Sequence, residues 1–179
     1  MRRILLGAAS LCLVAACSKA PGNTVASGAP TSGAAAPTVA AARSSGAPVS
    51  GSYTADGKPA VLTTVTAHKG DAFDGKPITE LVFTAKDQGG DAQAAVDALF
   101  GKFGDAVIAR VEPDGTVVGA DLVHAGLKQQ GPVSLSGALT MKTYRNEGGQ
   151  VSGELTSGGP TDVFDHKVEV HLIFHASAP

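Results

Sequence analysis

The chain has no tryptophan, only two tyrosines and six phenylalanines in 179 residues. Sugar platforms and single-strand nucleic-acid sites are built on exposed aromatic faces, so both fit this composition poorly. Cysteine is as scarce. Cys12 and Cys17 are the only two, and no thiol follows residue 17. That excludes disulfides, thiolate metal sites and cysteine nucleophiles from everything downstream. Acidic residues are missing from the first third, where no Asp or Glu precedes Asp56. Four of the 14 basic residues lie before that point. Residues 51–179 therefore hold 10 basic and 16 acidic residues, a formal charge of −6. Without a Lys/Arg cluster, nucleic acid is not an expected partner. The uncharged apolar run 4–16 is short as well. At helical rise it spans about 20 Å, against about 30 Å for a bilayer core.

What is present at the N-terminus reads as an export leader. Arg2 and Arg3 give a positive start, residues 4–16 an apolar core, and small residues close it. This is the layout of a signal peptide. Val14-Ala15-Ala16-Cys17 resembles the lipobox of bacterial lipoproteins, in which an aliphatic residue and two small ones precede the cysteine. Val stands where Leu is commoner. Cys12 follows bulky Leu11 and does not compete. The resemblance implies cleavage before Cys17, a diacylglyceryl thioether on its sulfur and a further acyl chain, such as palmitate, on the new amino group. Two or more chains give stable membrane attachment where one gives marginal binding. Ser18 after the cysteine is similar to the outer-membrane sorting pattern. The expected address is thus the outer membrane, lipid-anchored and facing the periplasm.

Three segments follow from this: a leader over 1–16, a lipid-anchored tether over 17–50 and one domain over 51–179. Of residues 18–50, all but six are Ala, Gly, Pro, Ser or Thr. Such a stretch buries too little apolar side chain to offset its ordering entropy, which predicts disorder. As a flexible coil it would reach about 30 Å.

Beyond residue 50 the pattern is period-two alternation broken by Gly, Pro, Asp and Asn, which predicts β-structure. Strands are expected over 49–55, 59–68, 78–86, 106–112, 116–124, 132–144, 151–156 and 163–176, with a loop over 69–77. Pro113-Asp114-Gly115 is a hairpin signal. Asp91 is placed to cap one amphipathic helix near 92–103, with Val96, Leu99, Phe100 and Phe103 as a core-facing stripe. The expected class is all-β, about eight antiparallel strands in a sandwich or a closed barrel, plus that helix.

Catalytic signatures are missing: no nucleophile elbow, no His-Glu-x-x-His and no EF-hand loop. Aspartate pairs Asp71/Asp74 and Asp162/Asp165 read as turn chemistry. The histidines are the remaining candidates. On the last strand Glu169, His171 and His175 share the face opposite Val168, Val170, Leu172 and Phe174. Glu169 and His171 would stand about 6.6 Å apart and His171 and His175 about 13 Å. A metal would need another ligand from His68 or His124. These five residues are a candidate ligand or partner face, with neither metal nor cofactor expected. The leading expectation is a non-enzymatic envelope lipoprotein. Cys17 would bind it to the membrane, and its β-domain would serve as a binding or assembly module for another envelope protein or a small ligand. The alternative is a calyx-like barrel carrying a small apolar or metal ligand. A hydrolase with dispersed residues ranks below both.

Overall fold

The computed structural model describes residues 46–127, 131–135 and 137–179. The expected leader, Cys17 and the tether up to residue 45 lie outside the described residues. Among the described residues are eleven strands and one helix. The strands are β1 (Ala47–Ala55), β2 (Lys58–Ala60), β3 (Thr64–Phe73), β4 (Lys76–Thr84), β5 (Ala106–Val111) and β6 (Val117–Val123). They continue as β7 (Val133–Leu135), β8 (Thr140–Glu147), β9 (Gln150–Thr156), β10 (Thr161–Val163) and β11 (His166–Ser177). The helix, α1, spans Ala94–Leu99. No described helix is long and apolar enough to cross a membrane.

All pairing is antiparallel, as the alternation predicts. The strand order is β7-β6-β5-β4-β3-β1-β11-β9-β8. The sheet curls into a half-barrel and stays open, with β7 and β8 at its two ends. Its two leaves are joined into one curled sheet. β1 explains this. Its first residues, Ala47 and Pro48, pair with β3, while Val49 to Ala55 pair with β11. One strand thus belongs to two leaves. On its other edge β2 pairs with Tyr53 to Ala55, so the chain turns a corner at residues 61–63 between β2 and β3. That corner splits the single strand expected over 59–68.

Turn chemistry sets the hairpins. Asp56-Gly57, Asp74-Gly75 and Gly148-Gly149 all have positive φ, which matches the right-handed twist of the strands they join. The Asp74-Gly75 turn carries β3 and β4 through the expected loop 69–77, with an irregularity between Gly70 and Phe73. Strands expected over 132–144 and 163–176 are each interrupted, the second by a turn at Phe164 and Asp165.

The half-barrel encloses the main core. Tyr53, Phe83, Leu155 and Leu172 are buried there with Val65, Leu81 and Phe174. Phe83 of one leaf meets Phe174 of the other edge to face, with ring centroids 5.3 Å apart. β11 alternates buried and outward residues along most of its length, with the expected set Val168, Val170, Leu172 and Phe174 inside.

β4 and β5 are buried on both faces, which is why they read as near-continuous apolar runs. Their outer residues Val82, Ala106 and Ile108 lie under α1. The helix is present but shorter than expected, and its buried face differs. Ala94, Ala98 and Phe103 pack inward, whereas Val96 is 52% and Phe100 83% exposed. Ala94 and Ala98 are the buried residues of the helix itself, and Leu99 packs partly buried beside them. The chain then leaves helical geometry at Gly101, where φ is 73°, and Phe103 returns to the core from the following turn. Asp91 caps as an Asx turn instead of at the first helical residue. Its Oδ1 accepts the Gln93 N–H at 2.9 Å.

Candidate functional site

Five side chains form the candidate ligand face, and the fold distributes them over three places. Glu169, His171 and His175 lie on the outer face of β11, as alternation predicts. His171 is half exposed, and its Nε2 stands 3.3 Å from Glu154 Oε1 on β9. Glu154 also lies 3.7 Å from Lys142 Nζ. His171 therefore has a cross-strand carboxylate beside it, and that carboxylate is Glu154 rather than Glu169. Among the described residues, no group of three or more His, Cys, Asp or Glu side chains is placed to hold a metal ion.

His124 follows β6 and is buried. Its ring meets the Tyr53 ring edge to face, centroids 5.0 Å apart. Its Nδ1 accepts the Gly126 N–H at 2.7 Å, so the neutral ring carries its proton on Nε2. Nε2 is buried and has no hydrogen-bond partner among the described residues. Burial, and secondarily the charge of Asp105, pushes the Tyr53 phenol above its usual range. Its hydroxyl donates to the Val123 carbonyl at 3.3 Å.

His68 occupies the third place, on β3 at the seam where β1 joins the two leaves. Here a cavity of about 320 Å³ opens between β3, residues 88–92 and the end of β11. Its polar wall is a chain of hydrogen bonds. Gln88 is 4% exposed, and its Nε2 donates to the Val82 carbonyl at 2.8 Å and to Thr84 Oγ1 at 3.0 Å. Thr66 Oγ1 lies 2.5 Å from Gln88 Oε1 and 2.7 Å from His68 Nε2. Thr66 and His68 are two apart on one strand and share its outer face. Asp91 also lines the cavity. Its Oδ2 holds Lys102 Nζ at 2.7 Å, and Lys102 also reaches Asp97 at 2.5 Å. The bond from Lys102, followed by that from the Gln93 backbone, holds the Asp91 carboxyl below its usual range.

No protein family, curated protein or solved structure matches this chain.

From the sequence, His68 is a candidate distant partner for the last strand. The fold instead joins it to Thr66 and Gln88. The shared face of Thr66 and His68 was legible from alternation. Gln88 gave no signal, because it lies in the irregular run Asp87-Gln88-Gly89-Gly90, where no period applies. The seam cavity has the features of a ligand site: concave, partly apolar, with a few polar groups locked in place.

Proposed function

We propose that this protein is a lipid-anchored envelope component whose half-barrel is a non-enzymatic binding module, with its ligand site in the seam cleft beside His68. The observation that carries the binding reading is the Gln88–Thr66–His68 chain. A buried amide is costly unless every polar atom is paired. Here the amide is fully paired, and the far end of the chain is an imidazole on the wall of a cavity. Burying Gln88 for packing alone would not need the open space in front of it. The main core between the leaves is filled by Tyr53, Phe83 and Phe174, which favours a ligand at the seam over one inside the half-barrel. The lipobox-like residues 14–17 support the anchor. The composition of residues 18–50 supports a spacer that holds the domain clear of the lipid.

Two measurements test this reading. A small-molecule library is screened by thermal shift on the full chain and on Ala92→Trp, which places a large side chain at the exposed cavity mouth. Ligands that stabilise the wild type and not the variant support the cleft. A library that stabilises both alike, or neither, counts against it. For the anchor, Cys17→Ala is expected to yield unprocessed or mislocalised protein. Membrane fractionation identical to that of mature wild type would refute lipid attachment.

A further inference from the structure

The hydrogen-bond chain at the seam fixes which proton sits where, and that selects a ligand charge. Gln88 Nε2 is identified by its two acceptors, the Val82 carbonyl and Thr84 Oγ1. Thr84 in turn donates its own proton to the Lys86 carbonyl at 2.8 Å. Gln88 Oε1 is then an acceptor only, and the Thr66 hydroxyl must donate to it. A hydroxyl has one proton. The 2.7 Å contact between Thr66 and His68 is therefore His68 Nε2–H donating to Thr66 Oγ1. In the neutral ring this leaves Nδ1 with a lone pair and no proton.

The rest of the cavity has the same polarity. Asp91 contributes a carboxylate, which has acceptor sites beyond its contacts with Lys102, the Gln93 N–H and the Asp97 side chain. Lys102 bridges Asp91 and Asp97, so these three side chains together carry one negative charge. Neither Lys nor Arg is among the lining residues. The apolar wall is built from Ala47, Ala67, Ala92, Ala176 and Ala178, short side chains that leave width for an aliphatic chain. An anion here would face a carboxylate and an imidazole lone pair. An ammonium group would find two acceptors.

Resting on the reading of the cleft as a ligand site, we propose that it binds a small aliphatic amine in its protonated form, with the ammonium group donating to His68 Nδ1 and to the Asp91 carboxylate. The test uses the full chain with 15N-labelled histidine at pH 8, above the usual imidazole range of about 6.5. The probes are n-butylammonium, butyrate and n-butanol, matched in size and differing in charge. Without ligand, the His68 ring nitrogens are expected to show a protonated Nε2 and an unprotonated Nδ1. Butylammonium is expected to shift Nδ1 saturably, and Ala92→Trp to abolish the shift. Asp91→Asn, which keeps an oxygen for the Gln93 N–H, is expected to weaken binding about tenfold, the loss of one charge-assisted hydrogen bond. A proton on Nδ1 would overturn the inference. So would butyrate binding that Ala92→Trp blocks while the amine fails to bind, and that outcome would leave the cleft standing as a site. Failure of all three probes overturns the amine inference, and the library screen then decides the cleft independently.

Discussion

Asp56 and His166, 110 residues apart in sequence, meet through a 2.8 Å contact between Asp56 Oδ2 and His166 Nδ1. The same carboxylate accepts the Lys167 N–H at 2.9 Å through Oδ1, and the Asp56 N–H donates to the Lys167 carbonyl at 2.7 Å. Asp56 sits in the turn between β1 and β2, with φ at 51°. His166 opens β11 and is buried. One aspartate thus ties the corner of one hairpin to the start of the longest strand.

His166→Ala is expected to cost about 1–3 kcal/mol, the range for removing one partner of a buried polar contact. At position 56 the order should be Asn mildest and Val worst. Asn tolerates a positive φ and keeps one acceptor oxygen, whereas a β-branched residue resists that conformation. Urea unfolding of the full chain checks both. Equal midpoints for Asp56→Asn and Asp56→Val would show that neither turn strain nor the clasp matters.

Stability should decline on both sides of a broad pH plateau. On the acid side, Asp87 is held below its usual 3.8 by N–H donors from Gly89 and then Gly46. Asp91 is lowered chiefly by Lys102, and Asp114 by the Thr116 backbone. A depressed folded-state value gives stability that is complete above the unfolded value and lost as pH falls through the folded one. The loss should therefore begin just under pH 4 and continue below it. On the alkaline side, Lys102 is raised by Asp91 and then Asp97, and Tyr53 by burial and then Asp105. A raised value gives stability present below the unfolded value and lost above it, so decline should start above about pH 10. Added salt should weaken the exposed Lys102 part and spare the buried Tyr53 part. Thermal melts from pH 2 to 12 at two salt concentrations read this directly. Melting that stays flat below pH 4 would rule out the carboxylate contribution.

The strand content of this domain was legible because one-sided burial leaves a period of two in the sequence. β11 is the clearest instance, and Pro113-Asp114-Gly115 marked its hairpin by turn chemistry alone. The curl of the sheet was not legible, since it depends on β1 changing partners at Val49, and pairing partners leave no local trace. The helix shows the opposite error. Val96, Leu99, Phe100 and Phe103 keep helical spacing, but the helix ends before the stripe is complete: Leu99 and Phe103 pack on the core as expected, while Val96 and Phe100 point outward and Ala94 and Ala98 take their place. At the candidate site, His68 could be noticed by residue type. Its meaning came from Gln88, twenty positions away in an aperiodic loop.

The helix makes a second contrast measurable. Phe100 is 83% exposed and Ala98 fully buried. Phe100→Ser should therefore change stability by no more than about 0.5 kcal/mol, as surface substitutions do. Ala98→Leu should cost about 1–3 kcal/mol by overpacking the space above Val82 and Ile108. The apolar-stripe reading predicts the reverse order, with the loss of Phe100 the more damaging. Guanidinium unfolding midpoints of the two variants separate the alternatives.

Gly51 sets the strictest steric limit in the sheet. It lies within β1, two residues after the change of partner from β3 to β11, and its φ is 121°. A Cβ built there would stand 2.0 Å from the His171 carbonyl oxygen and 3.1 Å from Leu172 Cα. Both are backbone atoms of β11, so no side-chain rotation can relieve the clash. The strands would have to separate where β1 pairs with β11, next to its change of partner from β3. Gly51→Ala is therefore expected to cost more than about 3 kcal/mol, or to prevent folding, although it adds a single methyl group. Gly137→Ala supplies the control. Its φ of 73° is also positive, but a Cβ there meets nothing within 4 Å, so only the local conformational cost of about 1–2 kcal/mol applies. If the two variants unfold at the same denaturant concentration, backbone conformation rather than close approach limits Gly51, and the seam is looser than its geometry implies.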